Sequence, residues 1–115
     1  MTKAASSHQL ELRRGYLVLA CLQALEDPMY GYGLLRDLRS AGITIEGDTL
    51  YPLLRRLEAQ GFLTSVWNTE QSRPRKFYVV TDAGSRLGAD LWQEYTDLSR
   101  SLELVRERKS HGRIG

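Results

Sequence analysis

Two adjacent arginines, Arg55 and Arg56, lie in residues 48–61, DTLYPLLRRLEAQG, a stretch with the pattern of an amphipathic helix. Its apolar side chains recur at helical spacing along one face: Leu50, Leu53, Leu54 and Leu57. Both arginines project from the other face. Arginine carries a planar fork of donors that suits phosphate and the edge of guanine, so this stretch is a candidate for nucleic-acid recognition. A solvated helix face would show the same pattern.

The ends of this helix are also marked in the sequence. Asp48 or Thr49 is expected to cap its start, because both side chains can accept a hydrogen bond from a free backbone amide. Pro52 has no amide hydrogen and is tolerated best within the first turn. Gly61 can adopt the left-handed conformation that ends a helix.

Two further helices are predicted before it. Residues 9–26 carry a broad apolar face and form a first helix that Asp27 and Pro28 end. A short second helix opens near Gly31 and closes at Gly42. Residues 43–46, ITIE, alternate like a very short strand or an extended connector.

A β-hairpin is predicted after the arginine-bearing helix. Residues 62–69 and 76–81 are β-branched and aromatic, and the polar turn 70–75 separates them. The tip carries three basic residues: Arg73, Arg75 and Lys76. Three short helices followed by a basic hairpin form the layout of a winged helix-turn-helix, in which the third helix enters the major groove and the wing lies along the backbone or minor groove. A solvated hairpin tip is the alternative interpretation of the basic cluster.

Composition is that of one soluble domain: 115 residues, 42% hydrophobic and 26% charged, with a net charge of +2. Residues 49–78 hold an excess of three positive charges, whereas acidic residues predominate in 82–105, so one region suits a polyanion and the other repels it. Cys21 is the only cysteine and is expected to be a buried hydrophobe, which leaves no disulfide and no thiol-rich metal site. No apolar stretch approaches a membrane span, and we expect a cytoplasmic protein without a cofactor.

The last predicted helix covers residues 82–109, capped by Thr81 or Asp82, and is too long for this small domain to cover. An apolar stripe runs along it: Leu87, Leu91, Tyr95, Leu98, Leu102 and Val105. A second copy could bury this stripe as a coiled-coil-like seam, which predicts a homodimer. Trp92 lies beside the stripe and either packs or lines a ligand pocket, with Tyr16 or Tyr95 as further lining.

The expected organisation is therefore α+β and mostly α. A flexible arm (residues 1–8) precedes a winged helix-turn-helix domain (9–81), a dimerisation helix (82–109) and a polar tail (110–115).

These segments resemble the PadR family of bacterial transcriptional regulators. The resemblance rests on residues 28–32 (PMYGY), 47–58 (GDTLYPLLRRLE) and 73–78 (RPRKFY) with 81–84 (TDAG). It implies a winged helix that binds palindromic promoter DNA, usually as a repressor, and a C-terminal helix that dimerises. The single such helix is similar to the short subfamily.

The resemblance also implies release from DNA when an aromatic or lipophilic compound binds. The expected DNA-binding residues are Thr49, Tyr51, Arg55, Arg56, Arg73, Arg75 and Lys76. Enzymatic activity is not expected, since His8 and His111 both lie in predicted tails and no nucleophile is spaced with a base. The remaining alternative is a winged helix that binds another protein and not DNA, because a fold does not determine a function.

Overall fold

The computed structural model describes residues 6–70 and 72–111, with side chains to residue 108. Within these residues four helices and three strands follow one another: α1 (Ser7–Ala24), β1 (Met29–Tyr30), α2 (Gly31–Ser40), α3 (Gly47–Ala59), β2 (Leu63–Asn68), β3 (Arg75–Val80) and α4 (Asp82–His111). Residues 1–5 of the predicted arm, Gln71 of the predicted turn and residues 112–115 of the predicted tail lie outside the described residues. The mostly helical winged helix-turn-helix with a long last helix is confirmed.

Helix α1 begins two residues earlier than predicted because Ser6 and Gln9 form a capping box. The Gln9 amide donates to Ser6 Oγ at 3.2 Å, and the Ser6 amide donates to Gln9 Oε1 at 2.8 Å. These two bonds satisfy amides that the first turn leaves without helical partners. Residues 7 and 8 of the predicted arm are therefore helical.

The core lies where α1, α2, α3 and the sheet meet. Leucines fill most of it, and the largest fully buried side chains among the described residues are Cys21, Leu22, Leu25, Leu34, Leu50, Leu54 and Leu63. Burial raises the pKa of the Cys21 thiol to about 12, so Cys21 is the neutral, buried hydrophobe that was predicted.

The sheet contains a strand that the sequence did not predict. Met29 pairs with Tyr78 and Tyr30 with Phe77, so that β1 lies beside β3 in the order β1-β3-β2. Two residues are too few to show a periodic pattern, and their pairing depends on a strand about fifty positions away. Residues 43–46 form the extended connector and not the strand. Ile45 is buried within it, and Arg39 Nε donates a hydrogen bond to the Ile45 carbonyl at 3.0 Å.

The start of α3 differs from the prediction. The helix begins at Gly47 with Glu46 in the cap position, and the Glu46 side chain makes no capping hydrogen bond to the described helix. Asp48 and Thr49 are already inside the helix. Pro52 is consequently the sixth residue of the helix and lies in its second turn. Because proline has no amide hydrogen, the Asp48 carbonyl has no helical donor, and both residues are exposed. Gly61 has the predicted left-handed conformation, with φ +86°.

Helix α4 starts from a tight joint with the end of α3. Thr81 caps it, because the Gly84 amide donates to Thr81 Oγ1 at 3.0 Å, and the same hydroxyl donates to the Gly61 carbonyl at 2.7 Å. A Cβ on Gly84 would come within 1.9 Å of the Phe62 carbonyl oxygen, so only glycine fits here. The helix is about 45 Å long at 1.5 Å per residue and extends beyond the core.

None of the helices in the described part of the chain combines the length and the apolar character needed to cross a membrane.

Candidate nucleic-acid interface

Helix α3 turns its leucines inward and its arginines outward. Leu50, Leu53, Leu54 and Leu57 are buried against the core. Arg55 and Arg56 are exposed in the second half of the helix, and Thr49 is exposed in the first turn. The two guanidinium groups can therefore reach a ligand on the outer face while the helix stays anchored on the other.

Tyr51 is the exception among the predicted contact residues of α3, because its ring is half-buried between two glycines. A Cβ on Gly31 would lie 2.8 Å from Tyr51 Cε1, and a Cβ on Gly47 would lie 2.9 Å from Tyr51 Cε2. The ring thus fills the space between the first residues of α2 and α3. It sets the approach of the two helices, a role that sequence spacing did not reveal.

Arg75 and Lys76 are successive residues of β3 and therefore lie on opposite faces of the sheet. Arg75 lies on the outer face, where its guanidinium carbon is 4.4 Å from the centroid of the Tyr30 ring. Tyr30 in turn contacts Phe77, with ring centroids 5.7 Å apart. A guanidinium stacked on an aromatic face is held in place and keeps its charge. Arg73 is exposed in the turn before β3.

Lys76 points inward and meets α3. Its Nζ lies 3.3 Å from Glu58 Oε1, and both side chains are about one-third exposed. Ser65 Oγ donates to the other oxygen, Glu58 Oε2, at 2.5 Å. The hydrogen bond from Ser65 holds the pKa of Glu58 below its usual value against partial burial, and the ion pair with Lys76 adds to that effect.

The pKa of Lys76 is raised although burial opposes its charged form, because contacts with Tyr78 and Glu58 outweigh that burial. Lys76 was predicted to lie at a free basic tip, but its charge is already paired within the protein. Strand alternation explains the difference, since neighbouring residues of a strand face opposite sides. Sequence reasoning also missed Glu58, Ser65 and Tyr30. The roles of Glu58 and Ser65 depend on the β2–β3 register that brings Ser65 opposite Tyr78, and the role of Tyr30 depends on the β1–β3 register that brings it opposite Phe77.

The predicted dimer stripe of α4 divides into two parts. Leu87 and Leu91 are half-buried and pack against the core of their own chain, so the prediction that this small domain could not cover the stripe is wrong for these two side chains. The remaining four side chains are 51–56% exposed: Tyr95, Leu98, Leu102 and Val105.

Trp92 lies between these two parts and is 47% exposed. It lines a groove of about 430 Å³ between α1 and α4, together with Tyr16 and Tyr95. The Trp92 and Tyr95 rings are 5.3 Å apart and inclined by 38°. A second groove of about 400 Å³ begins on the other side of Trp92, beside Gly88 and Ser85. Three aromatic rings around one groove can stack a planar compound.

Within the residues that the structure describes, no three His, Cys, Asp or Glu side chains are grouped to hold a metal ion.

Comparison with known proteins agrees with this geometry. Residues 18–90 match the transcriptional regulator PadR-like family. A PadR family transcriptional regulator from Eggerthella lenta has a similar structure, with a TM-score of 0.80 and 46% identity over 88% of this chain and 90% of that one. A Streptococcus transcriptional regulator gives a TM-score of 0.77 at 28% identity over 84% and 97% of the two chains.

A curated relative, transcriptional regulator Rv3488 of Mycobacterium tuberculosis, is 38% identical over 61 residues, which are 53% of this chain and 57% of that protein. The match thus spans little more than half the length of that relative. The family and these relatives are transcriptional regulators and not enzymes, as the sequence predicted. The match over 18–90, from α1 through the first turns of α4, shows that this chain belongs to the PadR-like family of DNA-binding transcriptional regulators.

Proposed function

We propose that this protein is a dimeric repressor that binds a palindromic promoter sequence with α3 in the major groove and the β2–β3 wing along the flanking backbone. The observation that carries this proposal is the division of α3 into a fully buried leucine face and an outer face that presents Arg55 and Arg56. A helix anchored in this way can enter a groove without loss of core packing.

The proposed contacts fall into two classes. Arg55 and Arg56 reach base edges or the phosphates beside them, and arginine bidentate to guanine is the commonest specific contact in the major groove. Thr49 and the hydroxyl of Tyr51 lie near the start of the same helix and contact the sugar-phosphate backbone of the DNA. Arg73 and Arg75 on the wing position the protein without reading sequence, because phosphate contacts are the same at every base pair.

Dimerisation uses the exposed part of the α4 stripe, from Tyr95 to Val105. Each of its four side chains leaves more than half of its surface in water in the single chain, which a second copy would cover. Two copies related by a two-fold axis would place their α3 helices about 34–36 Å apart, one turn of DNA, or a multiple of that distance.

The groove at Trp92 is the proposed effector site. Its aromatic lining suits a planar aromatic compound, and its place between α1 and the dimerisation helix lets a ligand alter the spacing of the two α3 helices. A compound weakens DNA binding only if it prefers the dimer with the wrong spacing, so ligand and operator must weaken each other by the same factor.

Genome-wide recovery of DNA fragments bound to the protein, followed by titration of the best fragment over a salt series, tests the proposal. A DNA-binding regulator enriches a palindromic sequence and loses affinity steeply with salt, by a slope of about −0.9 for each neutralised phosphate. A reporter behind the recovered promoter shows repression as lower expression. A winged helix that binds only another protein would enrich no fragment and show no such slope.

A further inference from the structure

One carboxylate joins α3 to both strands of the wing. Glu58 lies near the end of α3, one turn after Arg55. Its Oε2 accepts from Ser65 Oγ of β2 at 2.5 Å, and its Oε1 lies 3.3 Å from Lys76 Nζ of β3. Both oxygens are thereby occupied, and each binds a different strand.

The outer half of the wing has few other supports. Strand β1 pairs with Phe77 and Tyr78 of β3 and reaches no further toward the turn. Beyond that point the described side-chain contacts that tie the hairpin to the rest of the chain are the stacking of Arg75 on Tyr30 on the outer face and the ion pair of Lys76 with Glu58 on the inner face. Ser65 holds the same carboxylate from β2, opposite Tyr78. A two-stranded hairpin without such support is at best marginally stable in water.

A negative charge on this surface otherwise opposes DNA binding, because Glu58 lies one turn from Arg55 and repels phosphate. Its presence is consistent with a positioning role that outweighs the repulsion. We propose that Glu58, Ser65 and Lys76 form a clamp that sets the direction of the wing relative to α3, and that Lys76 supports DNA binding through this clamp and not by contact with a phosphate. This inference rests on the proposed function and adds three positioning residues to it.

The clamp is tested first without DNA, by amide hydrogen exchange along β2 and β3. Ser65→Ala removes one bond of the clamp without changing any charge. Thr64→Ala is the matched control, since Thr64 is the preceding residue of β2, is exposed and faces the other side of the strand. We expect faster exchange at the Arg75 and Asn68 amides, which pair across β3 and β2 in the outer half of the wing, in Ser65→Ala alone, at unchanged melting temperature. Equal exchange in the two variants and the wild type would overturn the clamp.

Titration of the operator fragment recovered with the wild-type protein provides the second test. Ser65→Ala should bind about threefold to tenfold more weakly, the scale of one hydrogen bond's net contribution, while Thr64→Ala binds like the wild type. Lys76→Met should also bind more weakly but keep the salt slope of the wild type. A slope reduced by about 0.9 in Lys76→Met would show a phosphate contact and would refute the assignment of Lys76 to the clamp.

The two experiments separate this inference from the function on which it rests. If the wild-type protein binds no duplex, the proposed function fails, and the exchange rates still decide whether the clamp holds the wing. If the wild type binds its operator and Ser65→Ala binds it equally well, the function stands and the clamp is refuted.

Discussion

Helices α3 and α4 are both amphipathic, yet the folded chain covers them differently. The leucine face of α3 is completely buried, and its charged face is left in water. Helix α4 buries Leu87 and Leu91 but leaves Tyr95, Leu98 and Leu102 half in water. A charged surface with two arginines suits a polyanion, whereas an apolar surface is stable only when another apolar surface covers it.

This contrast indicates how one small chain can serve two partners. The face that α3 leaves uncovered is the proposed DNA surface, and the face that α4 leaves uncovered is the proposed dimer surface. The joint at Thr81 connects them, since its hydroxyl bonds the carbonyl of Gly61 directly after α3 while it caps α4.

The largest effect is expected from Leu98→Asp, which places a charge in the apolar seam. Burial of an unpaired carboxylate is so costly that we expect the dimer to dissociate at micromolar concentration and operator affinity to fall by about a hundredfold or more. Analytical ultracentrifugation measures the first change and fluorescence anisotropy the second. Gln93→Glu adds the same charge to the opposite face of α4 and should remain dimeric. A wild-type protein that is already monomeric at this concentration would refute the proposed dimer surface on α4.

The next largest loss of operator affinity is expected from Arg55→Ala and Arg56→Ala on α3. If either side chain is bidentate to guanine, its loss costs about 1–3 kcal/mol of binding free energy and relaxes preference at that base pair. A phosphate contact would instead weaken all sequences alike. Gel-shift titration against the operator and single-base variants distinguishes these results, with Arg100→Ala on α4 as the control for charge. Unchanged affinity in both α3 variants would remove this face from the DNA contact.

The groove beside the dimer face is tested through Trp92. Trp92→Ala should weaken binding of a planar aromatic compound about tenfold, the scale of one aromatic stacking contact. Quenching of the fluorescence of Trp67 and Trp92 by a panel of planar cations and phenolics finds a ligand, and calorimetry compares the variant with the wild type. Equal ligand affinity in the variant would exclude Trp92 from the site. Ligand binding that leaves operator affinity unchanged would exclude the switch.

A smaller effect is expected on the wing. Arg73→Ala and Arg75→Ala should each reduce the salt slope by about 0.9 and weaken specific and nonspecific duplexes equally, because each removes one phosphate contact. Dissociation constants measured between low and moderate salt provide the slopes. A slope equal to that of the wild type in Arg75→Ala would mean that its stack on Tyr30 serves only to support the wing.

No alkylation of Cys21 is expected in the folded protein, because this side chain is buried in the core. Since the pKa of this thiol is raised to about 12, the group stays neutral near pH 8 and its nucleophilic thiolate is almost absent. Mass spectrometry after treatment with an alkylating reagent should find the folded protein unmodified and the denatured protein fully modified. Rapid modification of the folded protein would show that α1 opens readily from the core.

Much of this molecule was determined by the sequence alone. Helical spacing predicted α1 to α4, β-branched runs predicted the hairpin, and Gly61 marked the end of α3, because these signals act between residues close along the chain. The short motifs around Tyr51 and Arg75 were sufficient to indicate the family. The separation of Arg55 and Arg56 from the leucine face also followed from the sequence, since the period of a helix is fixed.

Only the tertiary structure decided which surfaces remain free. Strand β1 exists because β3 lies beside it, and Lys76 is paired because the hairpin register turns it toward Glu58. Leu87 and Leu91 pack inward because the first part of α4 lies against the core. Leu98 is exposed because it lies further along the helix, where α4 extends past the core. Each of these outcomes depends on contacts between residues far apart in the chain, and local periodicity carries no information about which distant element will cover a given face.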